Sequence, residues 1–222
     1  MSKKPIIFCD FDGTVTNNDN IIAIMKNFNP PGWEQLKDQV LAQEISIKEG
    51  VGKMFSLLPS EKKQEVTEFV LDQAEIRPGF EEFVAYTAAN NIKLLIVSGG
   101  IDFFVHPLLE PYNIPEENIF CNGSDFNGES IEITWPHSCD GNCENECGCC
   151  KPSILRNYDS KAYHKIVIGD SITDLQAAKQ ADEVFARDFL LEKCKALLLN
   201  YQPFETFYDV IELLKEREEE LV

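Results

Sequence analysis

Two aspartates stand one residue apart directly after a short apolar run, and this stretch limits the fold more than any other. Residues 6–9 read Ile-Ile-Phe-Cys, and Asp10, Asp12 and Gly13 follow at once. Because the run has no polar alternation, it predicts a strand that is buried on both faces, as in a parallel sheet covered by helices. Side chains two positions apart along an extended chain point the same way, so we expect both carboxylates to face one pocket.

Two carboxylates this close favour a bound cation, because they cannot both ionise cheaply without an opposite charge between them. Mg²⁺ fits such a site, since it takes one or two carboxylates and leaves positions for water and phosphate oxygens. A calcium loop does not fit: counted from Asp10, its obligatory glycine falls on Val15 and its closing glutamate on Ile21. A solvated turn at the strand end, which Asp and Gly favour, stays the alternative.

Polar side chains follow two more apolar runs, and a lysine follows a cysteine-rich segment. Ser98 comes after residues 94–97, Leu-Leu-Ile-Val, and Asp170 comes after residues 166–169, Ile-Val-Ile-Gly. Lys151 lies at the predicted start of a helix. Ser98 and Asp170 are expected at the ends of their strands, and ligands of open α/β sheets bind outside the carboxyl ends of strands. Taken singly, Ser98 and Asp170 also fit helix caps, and Lys151 fits an ordinary surface residue.

The order of these motifs resembles the haloacid dehalogenase-like phosphatases. Residues 10–14, Asp-Phe-Asp-Gly-Thr, look like the first motif of that superfamily, Ser98 like the second and Lys151 like the third. Residues 169–174, Gly-Asp-Ser-Ile-Thr-Asp, look like the fourth, and the resemblance covers nearly the whole chain. It implies an α/β fold, a Rossmann-like doubly wound parallel sheet with an inserted helical cap. The alternation of predicted strands and helices agrees with such a sheet.

The resemblance also implies a role for each of these residues. Asp10 is the expected nucleophile, which forms an aspartyl-phosphate, and Asp12 the acid that protonates the leaving alcohol and then the base that activates water. Mg²⁺ is expected on Asp10, on the backbone carbonyl of Asp12 and on Asp170. Asp174 is expected to orient a metal-bound water or the catalytic Lys151. The residues expected to bind the transferring phosphoryl group are Thr14, Ser98, Gly99 and Lys151.

Residues 17–75 carry helical periodicity without a strand signal, and they resemble the helical cap that this superfamily inserts after its first motif. We therefore expect a catalytic core formed by residues 1–16 and 76–222, a cap formed by residues 17–75, and a cysteine-rich loop at residues 136–150 within the core. The alternative is a helical subdomain that packs on the core and takes no part in the site.

Local patterns predict several element boundaries. Asn20 is expected to cap the first helix after the double-aspartate turn, and residues 92–97 are expected to form a strand that ends before Ser98. A further helix is expected to begin at Ile172. Residues 184–186 are expected to form the last, short strand.

Within the superfamily, the helical cap and the sequence Val-Ser-Gly-Gly at residues 97–100 resemble the phosphoserine phosphatase-like branch. Three segments are similar to bacterial phosphatases of methionine salvage: residues 9–16, residues 97–105 and the cysteine-rich approach to Lys151. This resemblance implies hydrolysis of 2-hydroxy-3-keto-5-methylthiopentenyl 1-phosphate. Residue chemistry alone leaves open a phosphatase of phosphoserine, phosphocholine or phosphoethanolamine. The non-enzymatic alternatives are a receiver-like phosphoacceptor and a cysteine-centred metal-binding module.

Composition restricts the expected partners. The chain has 20 Lys and Arg residues against 38 Asp and Glu residues, which gives a formal net charge of −18. So strong a negative charge disfavours nucleic acid and anionic membranes, and a small phosphorylated metabolite is the expected partner. No apolar run reaches the length of a membrane span, and the first residues lack a cleavable signal pattern, so a cytoplasmic protein is expected.

Five of the eight cysteines crowd into the cysteine-rich loop. They are Cys139, Cys143, Cys147, Cys149 and Cys150. In a reducing compartment, such clustering favours metal binding or free thiols over disulfides. Because their spacing fits no common paired zinc pattern, a structural metal, free thiols and a redox-sensitive lid all stay open.

Overall fold

The computed structural model describes the backbone of residues 3–220 and the side chains of residues 3–217. Residues 1–2 and 221–222 of the predicted core lie outside the described residues. The strands are β1 (Lys4–Cys9), β2 (Lys93–Ile101), β3 (Ile119–Asp125), β4 (Glu132–Thr134), β5 (Tyr163–Gly169), β6 (Glu183–Ala186) and β7 (Tyr201–Pro203). The α-helices are α1 (Asn20–Phe28), α2 (Trp33–Leu41), α3 (Ile47–Ser56), α4 (Lys63–Gln73), α5 (Phe80–Ala89), α6 (Asp102–Leu109), α7 (Lys151–Arg156), α8 (Leu175–Ala178), α9 (Asp188–Leu197) and α10 (Phe207–Glu220). Three single-turn 3₁₀ helices lie at Ser60–Lys62, Glu110–Tyr112 and Glu116–Asn118.

One seven-stranded sheet forms the centre of the molecule, with the strand order β4-β3-β2-β1-β5-β6-β7. Every neighbouring pair is parallel except β3 and β4, which form an antiparallel hairpin. In the middle of the sheet, Phe8 of β1 pairs with Leu95 on one side and with Val167 on the other. The predicted parallel sheet is therefore confirmed. Within the described residues, no helix is both long and apolar enough to cross a membrane.

β1 is buried on both faces, as its apolar run predicts. Ile7 and Cys9 lie in a hydrophobic cluster that includes side chains of α1 to α6 and α10. Ile6 and Phe8 lie in a second cluster with side chains of α7, α8 and α9. Because a slip of one residue would exchange the two rows, this double burial fixes the register of β1 and holds Asp10 at its carboxyl end.

The order of the strands reverses between β1 and β5. From β1 the chain builds outward through β2 and β3, and after β5 it builds outward in the other direction through β6 and β7. Ligands of open α/β sheets bind outside the carboxyl ends of the strands at such a reversal. Asp10 follows β1 and Asp170 follows β5, so both residues lie at this point of the sheet.

Residues 17–75 form the four helices α1 to α4, and the named strands all lie outside this fully described segment. The two ends of the segment lie side by side, since Thr16 bridges to Ile76 and the amide of Asn17 donates to the carbonyl of Glu75 at 2.8 Å. Farther along, Pro59 bridges to a residue of the β3–β4 connection. The division of the chain into core, cap and cysteine-rich loop stays a prediction.

The sheet extends further than the sequence pattern predicts at two places. β2 continues through Ser98 as far as Ile101, with a register shift against β3 after Val97. At Gly100 a Cβ atom would stand 2.6 Å from Oδ2 of Asp12, so glycine is needed there for the close approach. β7 follows β6, so residues 184–186 are not the last strand. β7 has three residues and ends in proline, which is too short for a period-2 signal.

Two predicted helix starts are wrong. The side chain that caps α1 is Asp19, whose carboxylate accepts the amide of Ile22 at 3.0 Å, whereas Asn20 points elsewhere. α8 begins at Leu175, and Ile172 lies in the turn before it with 45% of its surface exposed. The turn is held by a carboxylate of the candidate site, which the pattern of apolar residues does not reveal.

Candidate active site

Lys151 lies between two aspartates that come from distant parts of the chain. Its Nζ is 2.6 Å from Oδ1 of Asp10 and 2.5 Å from Oδ1 of Asp174. All three side chains are buried, with 7%, 5% and 1% of their surfaces exposed. Lys151 is the first residue of α7, and Pro152 at the second position suits a first helical turn. Its burial excludes the alternative of an ordinary surface lysine.

Both carboxylate oxygens of Asp174 are occupied. Oδ1 pairs with Lys151, while Oδ2 accepts the backbone amides of Asp170 at 3.2 Å and Ser171 at 3.1 Å. The hydroxyl of Ser171 also donates to Oδ2, at 3.2 Å. Asp174 therefore shapes the turn after β5 and holds the lysine, which fits an orienting role better than direct contact with a cation.

Thr14 and Gly13 position the carboxylate of Asp170. The hydroxyl of Thr14 donates to Oδ1 of Asp170 at 2.9 Å. Gly13 has a φ of +80°, and a Cβ atom built on it would stand 2.5 Å from Oδ2 of Asp170. Glycine is therefore required at position 13 both for the backbone conformation and for the close approach. Thr14 is fully buried, and its hydroxyl orients Asp170 in this structure.

Asp12 has different partners from Asp10. Its Oδ1 accepts two hydrogen bonds from Asn20, one from the backbone amide at 3.1 Å and one from Nδ2 at 2.7 Å. The hydroxyl of Ser98 lies 3.4 Å from Oδ2 of Asp12, and the same hydroxyl accepts the amide of Gly100 at 2.8 Å. The second predicted motif and the start of α1 together orient this carboxylate.

Arg77 braces the double-aspartate turn from below, and nothing in the sequence pattern predicts this contact. Its guanidinium donates to the carbonyls of Thr14 at 2.7 Å, Gly13 at 2.8 Å and Thr16 at 3.3 Å. A fourth bond, at 3.3 Å, reaches the carbonyl of Glu205. Only 6% of Arg77 is exposed. The planar fork of arginine suits several carbonyls at once, so Arg77 fixes the backbone that carries the predicted first motif.

The site holds more negative than positive side chains, and burial makes their ionisation costly. Burial raises the pKa of Asp10 well above its usual range, and the nearby Asp174 adds to the rise. Burial likewise raises the pKa of Asp12 to about 7 and that of Asp170 to about 7. Burial opposes the charge on Lys151, but its two aspartate partners more than offset this and raise its pKa. Lys151 is therefore charged, yet it is one cation among four acidic side chains.

A divalent cation fits this arrangement. Oxygen atoms of Asp10, Asp170 and Asp174 all lie within 4.8 Å of one another. Because both oxygens of Asp174 already have donors, Asp10 and Asp170 are the carboxylates left for a cation. Hard oxygen donors of this number are those that Mg²⁺ prefers, and its charge would compensate the carboxylates that the single lysine leaves.

The structure gathers most of the residues that the sequence singles out, and it adds two. Asp10, Asp170, Asp174, Lys151 and Thr14 form one network, and Asp12 and Ser98 form an adjoining pair. Gly99 lies beside this pair in β2, and its carbonyl accepts Nδ2 of Asn122 at 2.7 Å. The additions are Asn20 and Arg77. The sequence pattern singled out Asn20 only as a helix cap, a role that the adjacent Asp19 has in the structure.

Comparison with known proteins identifies close relatives. The family model of the haloacid dehalogenase-like hydrolases matches residues 7–179. The chain is 62% identical over 218 residues to a 2-hydroxy-3-keto-5-methylthiopentenyl-1-phosphate phosphatase of Geobacillus kaustophilus (strain HTA426), which covers 98% of this chain and 99% of that relative. It is 54% identical over 222 residues, 100% of both chains, to a protein of the same name from Brevibacillus brevis (strain 47 / JCM 6285 / NBRC 100599).

Solved structures of phosphoserine phosphatases share the fold. One, described as a phospho-aspartyl intermediate analogue, matches with a TM-score of 0.69 over 97% of this chain and 99% of that chain, at 19% identity. Another, from T. onnurineus in complex with NDSB-201, matches with a TM-score of 0.70 over 96% of this chain and 94% of that chain, at 15% identity. At these identities the likeness concerns the fold alone. From the family match and the identity to its relatives, the chain belongs to the haloacid dehalogenase-like hydrolase family.

Proposed function

We propose that the chain is a Mg²⁺-dependent phosphatase whose substrate is 2-hydroxy-3-keto-5-methylthiopentenyl 1-phosphate. Its proposed site residues are those of the network around Lys151, the adjoining pair of Asp12 and Ser98, and Gly99. The observation that carries the catalytic proposal is the ion pair of Lys151 with Asp10 and Asp174, at 2.6 and 2.5 Å in a buried setting. The substrate proposal is supported by relatives at 54% and 62% identity that are named as phosphatases of this compound, and the chain matches them over nearly its full length.

Asp10 is the proposed nucleophile. One of its carboxylate oxygens attacks phosphorus, the bond from phosphorus to the substrate oxygen breaks, and an aspartyl-phosphate forms on Asp10. Lys151 lies against this carboxylate and is held by Asp174, so its charge is fixed where the transferring oxygens come to lie. Mg²⁺ bound by Asp10, Asp170 and the backbone carbonyl of Asp12 would supply further positive charge there.

Asp12 is the proposed acid and base. Its proton passes to the oxygen of the leaving alcohol in the first step. In the second step its carboxylate takes a proton from the water that attacks phosphorus, so the phosphate leaves and Asp10 is restored. A pKa of about 7 suits transfer in both directions near neutral pH. Asn20 and Ser98 hold this carboxylate apart from the network of Lys151, which keeps its proton separate from the nucleophile.

The phosphoryl oxygens are proposed to contact Lys151, Ser98, Gly99 and Thr14. Thr14 is the weakest member of this set, because its hydroxyl is buried and donates to Asp170. Helices α1 to α4 are proposed to act as a cap over the site. The bridge between Thr16 and Ile76 supports this, because it places both ends of the helical segment beside the double-aspartate turn. We also propose a cytoplasmic location, which suits eight cysteines that are all free thiols in the structure.

A panel of phosphometabolites tests the proposal. The assay measures phosphate released with and without Mg²⁺ from the salvage enol phosphate, phosphoserine, phosphocholine and phosphoethanolamine. We expect many turnovers with the first compound, dependence on Mg²⁺, and a kcat/KM at least tenfold above the others. Preference for phosphoserine would overturn the substrate proposal. A single phosphoryl transfer without turnover would instead indicate a receiver-like phosphoacceptor, although such a protein has no need of a second aspartate at position 12.

A further inference from the structure

The cysteine-rich loop brings four of its five thiols to one point. The four-thiol cluster consists of Cys139, Cys143, Cys147 and Cys150, whose Sγ atoms all lie within 4.8 Å of one another. Inside the cluster, the Sγ atoms of Cys143 and Cys147 are 3.8 Å apart. The fifth thiol, Cys149, turns away into the hydrophobic core beside Phe120, although it is adjacent in sequence to a member of the cluster.

We propose that the four-thiol cluster binds one Zn²⁺ ion as a structural site. Zn²⁺ in such sites has four thiolates in a tetrahedron at about 2.3 Å, which places neighbouring sulfur atoms about 3.8 Å apart. The pair formed by Cys143 and Cys147 already has this spacing, at 3.8 Å. The other pairs of Sγ atoms lie no farther apart than 4.8 Å, which exceeds the tetrahedral spacing by about 1 Å. Thiolate ligands select Zn²⁺ over the hard Mg²⁺ expected among the aspartates.

Polar groups around the cluster are arranged to support thiolates. The amide of Cys147 donates to Sγ of Cys139 at 3.4 Å, and the hydroxyl of Ser153 donates to Sγ of Cys150 at 2.9 Å. The guanidinium of Arg156 reaches the same hydroxyl at 3.3 Å and is fixed there by an ion pair with Asp140 at 2.6 Å. Donors of this kind lower the cost of negative charge on metal-bound sulfur and set the orientation of the ligands.

The loop is held by turns, a few backbone hydrogen bonds and side-chain contacts rather than by regular secondary structure. Helix and strand are absent from residues 136–150, all of which the structure describes, and only Gly148, Cys149 and Cys150 are buried. The backbone turns through positive φ at Glu146 and Gly148, at +47° and +80°. A loop of this length without secondary structure normally needs a further constraint, and a metal that binds only the folded loop would supply it.

The proposed zinc site would affect catalysis by positioning Lys151, without taking part in the reaction. Cys150 is the residue before Lys151, and its carbonyl accepts the amide of Ile154 at 3.1 Å as α7 begins. A zinc ion on Cys150 would fix the start of α7 and with it the lysine between Asp10 and Asp174. Binding requires no oxidant or reductant: four thiols release four protons to solvent as the four Zn–S bonds form.

The test measures metal content of the full-length protein and does not depend on enzymatic activity. The protein is produced with zinc in the medium, passed through gel filtration in excess Mg²⁺, and analysed by mass spectrometry of the metal. We expect about one zinc per wild-type chain. Cys143→Ser and Cys147→Ser are expected to lose it. Cys149→Ala is the matched control from the same loop and is expected to keep it, as is Asp170→Asn in the aspartate site.

Cobalt spectroscopy of the wild type keeps the proposal refutable even if the serine variants fail to fold. Wild-type protein freed of zinc and loaded with Co²⁺ is expected to show intense sulfur-to-cobalt charge transfer and strong tetrahedral ligand-field bands. Zinc-free wild-type protein after growth in zinc, iron in place of zinc, or a cobalt spectrum without charge transfer would each overturn the proposal. Full zinc retention by Cys143→Ser, or loss by Asp170→Asn alone, would overturn it as well.

Discussion

Replacing Arg77 by methionine removes the brace beneath the double-aspartate turn. Methionine keeps most of the length and the apolar contacts of arginine but donates no hydrogen bond. In the wild type, the guanidinium donates to the carbonyls of Gly13 at 2.8 Å and Thr14 at 2.7 Å, and the change removes both donors. Only 6% of Arg77 is exposed, so the two hydrogen bonds are buried. A hydrogen bond from a charged group contributes about 1.5–3 kcal/mol, and part of the loss is offset because the guanidinium no longer needs to be desolvated.

We therefore expect Arg77→Met to lower the free energy of unfolding by about 2–4 kcal/mol. Urea denaturation followed by tryptophan fluorescence measures this, and phosphate release in Mg²⁺ measures kcat on the same preparation. Because the brace holds the backbone between Asp12 and Thr14, kcat is expected to fall by at least tenfold. Arg77→Lys keeps the charge, so its losses of stability and kcat are expected to be smaller than those of Arg77→Met. They are not expected to vanish, because lysine has no planar fork to reach three carbonyls.

Arg187→Met is the matched control: it makes the same change at a partly buried arginine that pairs with the exposed Asp188 and makes one long bond, 3.4 Å, to a backbone carbonyl. Such a pair contributes about 1 kcal/mol or less, so little loss of stability is expected. Arg77 does not brace the turn if Arg77→Met is no more destabilised than Arg187→Met, or if the kcat of Arg77→Met equals that of the wild type.

Three further perturbations probe the site. Asp174→Asn removes the charge that holds Lys151, and we expect kcat to fall by at least tenfold with a smaller change in KM, measured by steady-state kinetics; an unchanged kcat would contradict the orienting role. The pKa values of Asp12 and Asp170 are about 7 in the folded protein and lie above those of an unfolded chain, about 4. Between these pH values the folded state binds more protons than the unfolded state. The stability that this proton binding contributes is therefore lost as the pH rises from about 4 to 7. Metal-free protein is therefore expected to lose on the order of 4 kcal/mol or more of stability in this window, at about 1.4 kcal/mol per pH unit for each group. Mg²⁺ is expected to reverse this loss and Asp12→Asn to reduce it; a flat pH dependence in urea denaturation would count against it. Asn20→Ala removes a donor that lowers the pKa of Asp12, so the basic limb of the kcat/KM profile is expected to move to higher pH, and a move to lower pH would contradict the assignment.

The sequence predicts best what a continuous apolar run or an ordered set of motifs determines. The run at residues 6–9 is apolar throughout because β1 is buried on both faces, and that property alone identifies a central parallel strand. Lys151 and Asp10 are predicted neighbours through the resemblance to a family, and the structure places them 2.6 Å apart. Spacing alone gave no reason for this contact, because it depends on how the crossover after the cysteine-rich loop returns to the sheet.

The sequence does not reveal contacts between side chains and groups that are distant along the chain. Arg77 lies just before the turn at Pro78 and Gly79 and has no periodic partner, yet it donates to carbonyls of the first motif more than sixty positions away. Asn20 has the residue type of a helix cap, but the adjacent Asp19 takes that role and leaves Asn20 free to bond Asp12. The spacing of the cysteines matches no common zinc pattern, and only folding brings four of them together.

In the proposed reaction, Asp10 receives the phosphoryl group and Asp12 completes the hydrolysis. The most direct measurement is mass spectrometry of Asp12→Asn protein quenched in acid after incubation with Mg²⁺ and the phosphate ester. We expect one added phosphoryl group per chain on the peptide that contains Asp10, and none in the Asp10→Asn, Asp12→Asn double variant. A phosphoryl group on another residue, or turnover that persists in Asp10→Asn, would contradict it.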